Sequence, residues 1–181
     1  MNTPKSPPFR AGHVGSLLRP VRVVEARKKF FDEKSISRQD LKAIEDEAII
    51  DAIALQEEVG LKAVTDGEYR RSFWHYDFME MLTGFELEER AEGVQFAGVK
   101  LRPIFPMITG KLDFPDDHPM LDHFKYVAAH TKVVPKISIP GPSCCHFRTA
   151  PADITPAEYG DAEVLFGDIA ATYKKAVQAF Y

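Results

Sequence analysis

The chain has 181 residues, of which 45% are hydrophobic and 28% charged, a composition that supports one good core and argues against a disordered chain. Its net charge of -4 offers no general attraction for nucleic acid or an anionic membrane surface. No run approaches the roughly 18 consecutive apolar residues of a membrane span.

The Pro-rich amino terminus lacks the apolar core of a signal peptide. The only two cysteines, Cys144 and Cys145, are adjacent, too close for an unstrained disulfide. Both features point to the cytoplasm.

In chain order, Met1 to Pro8 reads as a mobile lead-in and Phe9 to Val14 as a buried strand end broken by Gly12 and His13. Val21 to Asp32 is helical. Ser37 and Asp40 stand at capping-box spacing and open a longer helix, whose apolar face runs through Leu41, Ile44, Ala48, Ala52, Leu55 and Val59. Gly60 occupies its C-cap position.

Leu61 to Thr65 is a short strand leading into Asp66, Gly67 and Glu68, and Ser72 to Leu82 an aromatic helix. Residues 85–112 form an excursion or hairpin, with Gly and Pro residues and alternating apolar positions such as Val94, Phe96 and Val99. A helix over Pro119 to His130 and a strand over Val133 to Ile139 follow, the strand ending at Pro140, Gly141 and Pro142.

The last helix starts at Thr155 as N-cap, with Pro156 at the first helical position and Glu158 completing a capping box. Its apolar face holds Leu165, Ile169, Tyr173, Ala176 and Phe180. No Gly, Asn or Pro stop follows, so the packing partner of this face is expected further along a longer parent sequence.

Helices alternating with short apolar strands predict an α/β fold with a parallel sheet or barrel. A (β/α)8 barrel takes about 250 residues, so the chain corresponds to roughly half of one, a single incomplete barrel domain over residues 1–181.

Three polar segments lie just past predicted strands, where such folds place their sites. In GHVGSLLRP, Gly15 and Ser16 either form a turn or let backbone N–H groups approach a ligand carboxylate. In DGEYRR, Asp66 and Glu68 flank a glycine and precede Arg70 and Arg71, a set that serves either as an ion-paired loop or as a clamp for a substrate ammonium.

The third segment, PGPSCCHFR, carries Cys144, Cys145 and His146. Adjacent cysteines lack chelating spacing, and no metal site is assigned to them. His75 reads as a packing histidine. His118, His123 and His130, spaced five and seven apart, form no i, i+4 ligand pair.

Together and in this order, HVGSLLRP, TDGEYRRSFWHYDF and ISIPGPS resemble the cobalamin-independent methionine synthase family, specifically its catalytic barrel and short single-barrel homologues. The resemblance spans Phe9 to Tyr181 and covers the amino-terminal half of that barrel. It implies a partial TIM barrel of the methionine synthase / uroporphyrinogen decarboxylase-like type.

It also implies backbone contacts to an amino-acid ligand from Gly15 and Ser16 and a carboxylate for its ammonium from Glu68, supported by His13, Asp66 and Arg71. The implied reaction transfers a methyl group from a methyltetrahydrofolate to a zinc-activated, homocysteine-like thiol. The family's zinc ligands, a His-x-Cys pair, a glutamate and a further cysteine, have no match here. Phe147 only approximates the family's pterin-stacking aromatic, and His13 resembles the short homologues more than the long synthases.

The leading expectation is therefore a truncated methyltransferase-family chain that is inactive alone. Two others stand beside it. One is a non-catalytic half-barrel that self-associates or is complemented by a missing half, and the other an unrelated lyase or hydrolase using Asp66 and Glu68 as acid and base.

Overall fold

A computed structural model describes residues 11–91, 95–96, 99–100 and 103–181. Two compact units emerge, with the boundaries at Arg71/Ser72, Leu121/Asp122 and Ser138/Ile139. The predicted lead-in Met1 to Pro8 lies outside the described residues, as do Phe9, Arg10 and Val94.

The first unit is built on two helices, α1 (Val21–Phe31) and α2 (Arg38–Glu58). Ser37 Oγ accepts from Asp40 N–H at 3.1 Å and Asp40 Oδ2 accepts from Ser37 N–H at 2.9 Å, closing the capping box. Gly60 turns the chain out of α2 at φ +86, where a side chain would be strained.

The buried stripe of α2 is Leu41, Glu45, Ala48, Ile49, Ala52, Ile53 and Gln56. It departs from the predicted face: Leu55 and Val59 are 55% and 68% exposed. Two polar residues enter the stripe because each has a partner, the half-buried Arg27 for Glu45 and the buried Thr65 for Gln56. Val23, Ala48, Ile49, Ala52, Ile53, Val64, Tyr69 and Val127 form one core.

Strands β1 (Ala63–Val64) and β6 (Val134–Pro135) pair in parallel. Both are shorter than the predicted Leu61–Thr65 and Val133–Ile139. Val134 N–H donates to Lys62 O and Lys136 N–H to Val64 O. Pro135 lacks the N–H that a further strand on the opposite edge of β6 would need. No strand forms between residues 11 and 20, and Val14 is 75% exposed, so the buried strand end expected up to Val14 is not seen there.

The second unit centres on a hairpin of β2 (Thr83–Glu89) and β5 (Ile104–Asp113), with a smaller antiparallel pair, β3 (Gln95–Phe96) and β4 (Val99–Lys100). The predicted aromatic helix contracts to α3 (Tyr76–Met79). The Asp77 carboxylate explains this, because it accepts from Ser72 N–H at 2.7 Å and Phe73 N–H at 2.6 Å and holds the preceding residues in a turn.

Helix α4 (Pro119–His130) spans the boundary between the units. Phe78, Phe114 and His118 stack beneath the hairpin, and both ring nitrogens of His118 are used. Nε2–H donates to Phe78 O and Nδ1 accepts from Met120 N–H.

Helix α5 (Cys144–Phe147) is a single turn, and α6 (Ala162–Phe180) starts later than predicted. Thr155 does not cap it. Its N–H and hydroxyl both donate to Ile108 O, and Asp161 is the N-cap, accepting from Glu163 N–H at 2.9 Å. Leu165, Ile169, Tyr173 and Ala176 are buried. Phe180 lies 6.1 Å from the Phe114 ring, so the face expected to lack a partner finds one within the chain.

The chain is thus mixed α/β. Among the described residues β1–β6 is the parallel strand pair and the other two sheets are antiparallel. Among the same residues no helix is long and apolar enough to cross a membrane.

Candidate active site

The end of β1 is fixed by Gln56. Its Nε2 donates to Thr65 O at 2.9 Å and its Oε1 accepts from Thr65 N–H at 3.0 Å, a two-way lock between α2 and the strand tip. The tip then turns sharply. Gly67 N–H donates to Thr65 Oγ1, and Glu68 N–H to Asp66 Oδ1 at 2.8 Å.

Gly67 and Glu68 are consecutive left-handed residues, at φ +66 and φ +57. Gly67 is required there, since a Cβ would also press on the side chains of Leu17 and Tyr69 at 3.1–3.3 Å. Glu68 occupies the same region with a full side chain, which places strain at the centre of the site.

Asp66, Glu68 and Arg71 are all buried, at 6%, 5% and 4% exposure. Glu68 Oε1 accepts from Ser138 Oγ at 2.9 Å and lies 3.5 Å from the Arg71 guanidinium. Arg71 in turn donates to Ser138 O at 2.6 Å. Asp66 shapes the turn through its bond to Glu68 N–H. Arg70 points to α2 instead, pairing with Glu45 and Asp46. Nearby, burial and the Arg70 charge push the His123 imidazole down to about 4.

The loop carrying Gly15 and Ser16 joins this turn. Leu17 N–H donates to Gly67 O at 3.0 Å, and Arg19 donates to Glu68 O at 2.8 Å and Arg71 O at 2.6 Å. Two of the motifs read from sequence, some fifty residues apart, therefore form one corner. Gly15 stands at φ +92, and His13 Nε2–H donates to its carbonyl at 2.7 Å. Ser16 is exposed. Among the described residues the Gly15 and Ser16 N–H groups donate no hydrogen bond.

Arg19, Gln56 and Ser138 escaped the sequence reading. Arg19 and Ser138 stand inside the motifs quoted for the resemblance, and Gln56 interrupts the apolar stripe of α2, a signal that a buried backbone group awaits it.

Residues Gly141 to Arg148 belong to the second unit. Cys145 is buried, and burial pushes its thiol up to about 11. His75 is also buried, stacked against Trp74 and Tyr76, with Nδ1 unpartnered among the described residues. Burial and the Arg148 charge push its pKa down to about 4. Among the described residues no three His, Cys, Asp or Glu side chains converge to hold a metal, so these residues do not fit the zinc that the resemblance implies.

Residues 9–178 match the family described as cobalamin-independent synthase, catalytic domain. The chain is 45% identical over 175 residues to the uncharacterized protein YxjH of Bacillus subtilis, covering 96% of this chain and 45% of that protein. It is 31% identical over 140 residues to the 5-methyltetrahydropteroyltriglutamate–homocysteine methyltransferase of Thermosynechococcus vestitus, covering 77% of this chain and 18% of that one.

A solved structure from Listeria monocytogenes, provisionally named a vitamin-B12 independent methionine synthase, superposes with a TM-score of 0.77 at 38% identity, over 96% of this chain and 48% of that one. The B12-independent methionine synthase from Shewanella sp. W3-18-1, solved with selenomethionine, superposes at 0.57 and 16% identity over 81% of this chain and 40% of that one, a likeness of fold alone. The chain spans about half the length of the curated Bacillus relatives it matches.

Proposed function

The chain belongs to the cobalamin-independent synthase catalytic-domain family, and from that premise we propose that its Gly15–Glu68 corner grips the amino-acid end of a homocysteine-like thiol for methyl transfer to sulfur. The observation that carries this is the joining of the two motifs around one buried, strained carboxylate. Both contacts to Glu68 fall on Oε1, and Oε2 is the oxygen offered to a ligand ammonium. The N–H groups of Gly15 and Ser16 are the donors for the ligand carboxylate.

The corner's chemistry is binding and orientation. An ammonium bonded to a buried carboxylate neutralises it while fixing the ligand's direction. The Glu68 carboxylate is engaged by the Arg71 guanidinium and the Asp66 carboxylate by the turn's own backbone, which disfavours an acid–base pair of Asp66 and Glu68. The wider fold we read as part of a TIM barrel, β1 and β6 being neighbouring staves.

Methyltetrahydrofolate as donor and zinc as activator are proposed for the whole protein. Zinc, when bound, would lower the pKa of the acceptor thiol. Its ligands would be other than the residues described.

Replacing Glu68 with Gln tests the reading, because the amide keeps the shape and removes the charge. L-methionine binding, followed by amide chemical shifts of the labelled chain, should weaken at least about ten-fold, the value of one charge-assisted bond. Unchanged affinity refutes the clamp.

A further inference from the structure

Four consecutive carbonyl oxygens, those of Glu68, Tyr69, Arg70 and Arg71, are gathered by two guanidinium groups. Arg19 donates to Glu68 O at 2.8 Å, Tyr69 O at 3.3 Å and Arg71 O at 2.6 Å. Arg27 donates to Arg70 O at 2.9 Å and to Tyr69 O at 3.4 Å, and a bond of 2.9 Å anchors it to Glu45. Carbonyls of a surface turn ordinarily face water. Here their dipoles converge, and the cations remove the mutual repulsion.

The two arginines divide the turn unequally. Arg27 is tied to α2 through Glu45 and serves the middle of the turn. Arg19 bonds its two ends, the residues that carry the site's carboxylate and guanidinium. The backbone bond within the turn, Arg71 N–H to Glu68 O at 3.2 Å, is long. A left-handed residue reverts easily unless its peptide is held. Holding the Glu68 carbonyl fixes the direction in which its Cβ leaves the backbone.

We propose that Arg19 is a positioning residue for the Glu68 carboxylate, acting through the backbone of the Glu68–Arg71 turn. This rests on the reading of Glu68 as the ammonium partner. The role needs a planar fork: one guanidinium reaches three carbonyls in fixed directions, which the point charge of a lysine does not.

The test compares L-methionine with its analogue lacking the amino group, titrated by amide chemical shifts into the wild-type 181-residue chain, Arg19→Met, Arg19→Lys and Glu68→Gln. The wild type should prefer the amine by about ten-fold or more, and Glu68→Gln should abolish the preference. Both Arg19 variants should cut it at least about five-fold while binding the analogue within about two-fold of wild type. Arg19→Lys keeps the charge and the stem and decides the matter if Arg19→Met does not fold.

Arg19 variants that weaken both ligands equally, or keep the preference, overturn the positioning role while the clamp stands. A wild-type chain without the preference, or a preference that survives Glu68→Gln, overturns the clamp itself and the role that depends on it.

Discussion

Replacing Gln56 with Leu should cost more than its size suggests. The side chain is 3% exposed and makes three hydrogen bonds, to Ala52 O, Thr65 O and Thr65 N–H. Ala52 O also lies within α2, one turn before Gln56, where the helix supplies a backbone donor, so its loss matters little. Thr65 is itself 3% exposed, and its N–H and C=O would be left unpaired. Each of the two orphaned groups costs about 1–3 kcal/mol, and added apolar burial returns about 1 kcal/mol, a net loss of about 1–5 kcal/mol.

Urea unfolding followed by helical ellipticity measures this as a fall in midpoint at constant slope. Gln56→Glu gives a second arm. Its carboxylate would face Thr65 O without a proton to donate, so its folded pKa would rise above the unfolded value. Its stability would be present at low pH and lost as pH rises through the folded pKa. A loss below about 1 kcal/mol in Gln56→Leu, or a pH-independent Gln56→Glu, would refute the lock.

Gly84→Ala should abolish or severely impair folding of the hairpin unit. A Cβ there would lie 2.5 Å from the carbonyl oxygens of Gly110 and Lys111, at φ +75, and expression with proteolysis of the variant checks it. Acid should destabilise the second unit through His75. Its folded pKa of about 4 lies below the unfolded 6.5, so the unfolded chain takes up the proton first and stability falls as pH drops through that window. The loss reaches about 2–3 kcal/mol, and His75→Phe should remove it from the pH profile of the urea midpoint. In the native chain Cys145 should react with Ellman's reagent more slowly than in urea, since its thiol is buried and its pKa is about 11; equal rates would contradict that burial.

Elements driven by local chemistry were legible in the sequence. The Ser37–Asp40 capping box, Gly60 and the stripe centred on Ala48 and Ala52 specify α2 without tertiary help. Elements decided by distant partners were not. Asp77 pulls the residues before α3 out of a helix that their apolar pattern favours. Thr155 has the spacing of an N-cap but is taken by Ile108 across the unit. Leu55 and Val59 fit a helical face, yet burial went to Glu45 and Gln56 because those polar groups had hydrogen-bond partners on neighbouring elements.

For the candidate site, the motifs placed Gly15, Ser16, Asp66, Glu68 and Arg71 on two loops, and hydrogen bonds bring those loops together. The residues that do the joining were invisible, because an arginine in a loop carries no mark of which carbonyls it will meet.

The strain at Glu68 bears on why the corner is so heavily braced. A left-handed glutamate costs about 1–2 kcal/mol relative to a glycine at the same angles. An ion pair with Arg71 and a bond from Ser138 could be made by a carboxylate on ordinary backbone, so those contacts alone do not account for the angle. The bracing does: Arg19 and Arg27 on the carbonyls, Asp66 on the Glu68 N–H, and Gln56 on the strand before it all hold one peptide direction. On the proposed reading, the ordering cost of the carboxylate is met during folding instead of during binding. An arriving ammonium then meets an acceptor already aimed, and more of its interaction energy appears as affinity.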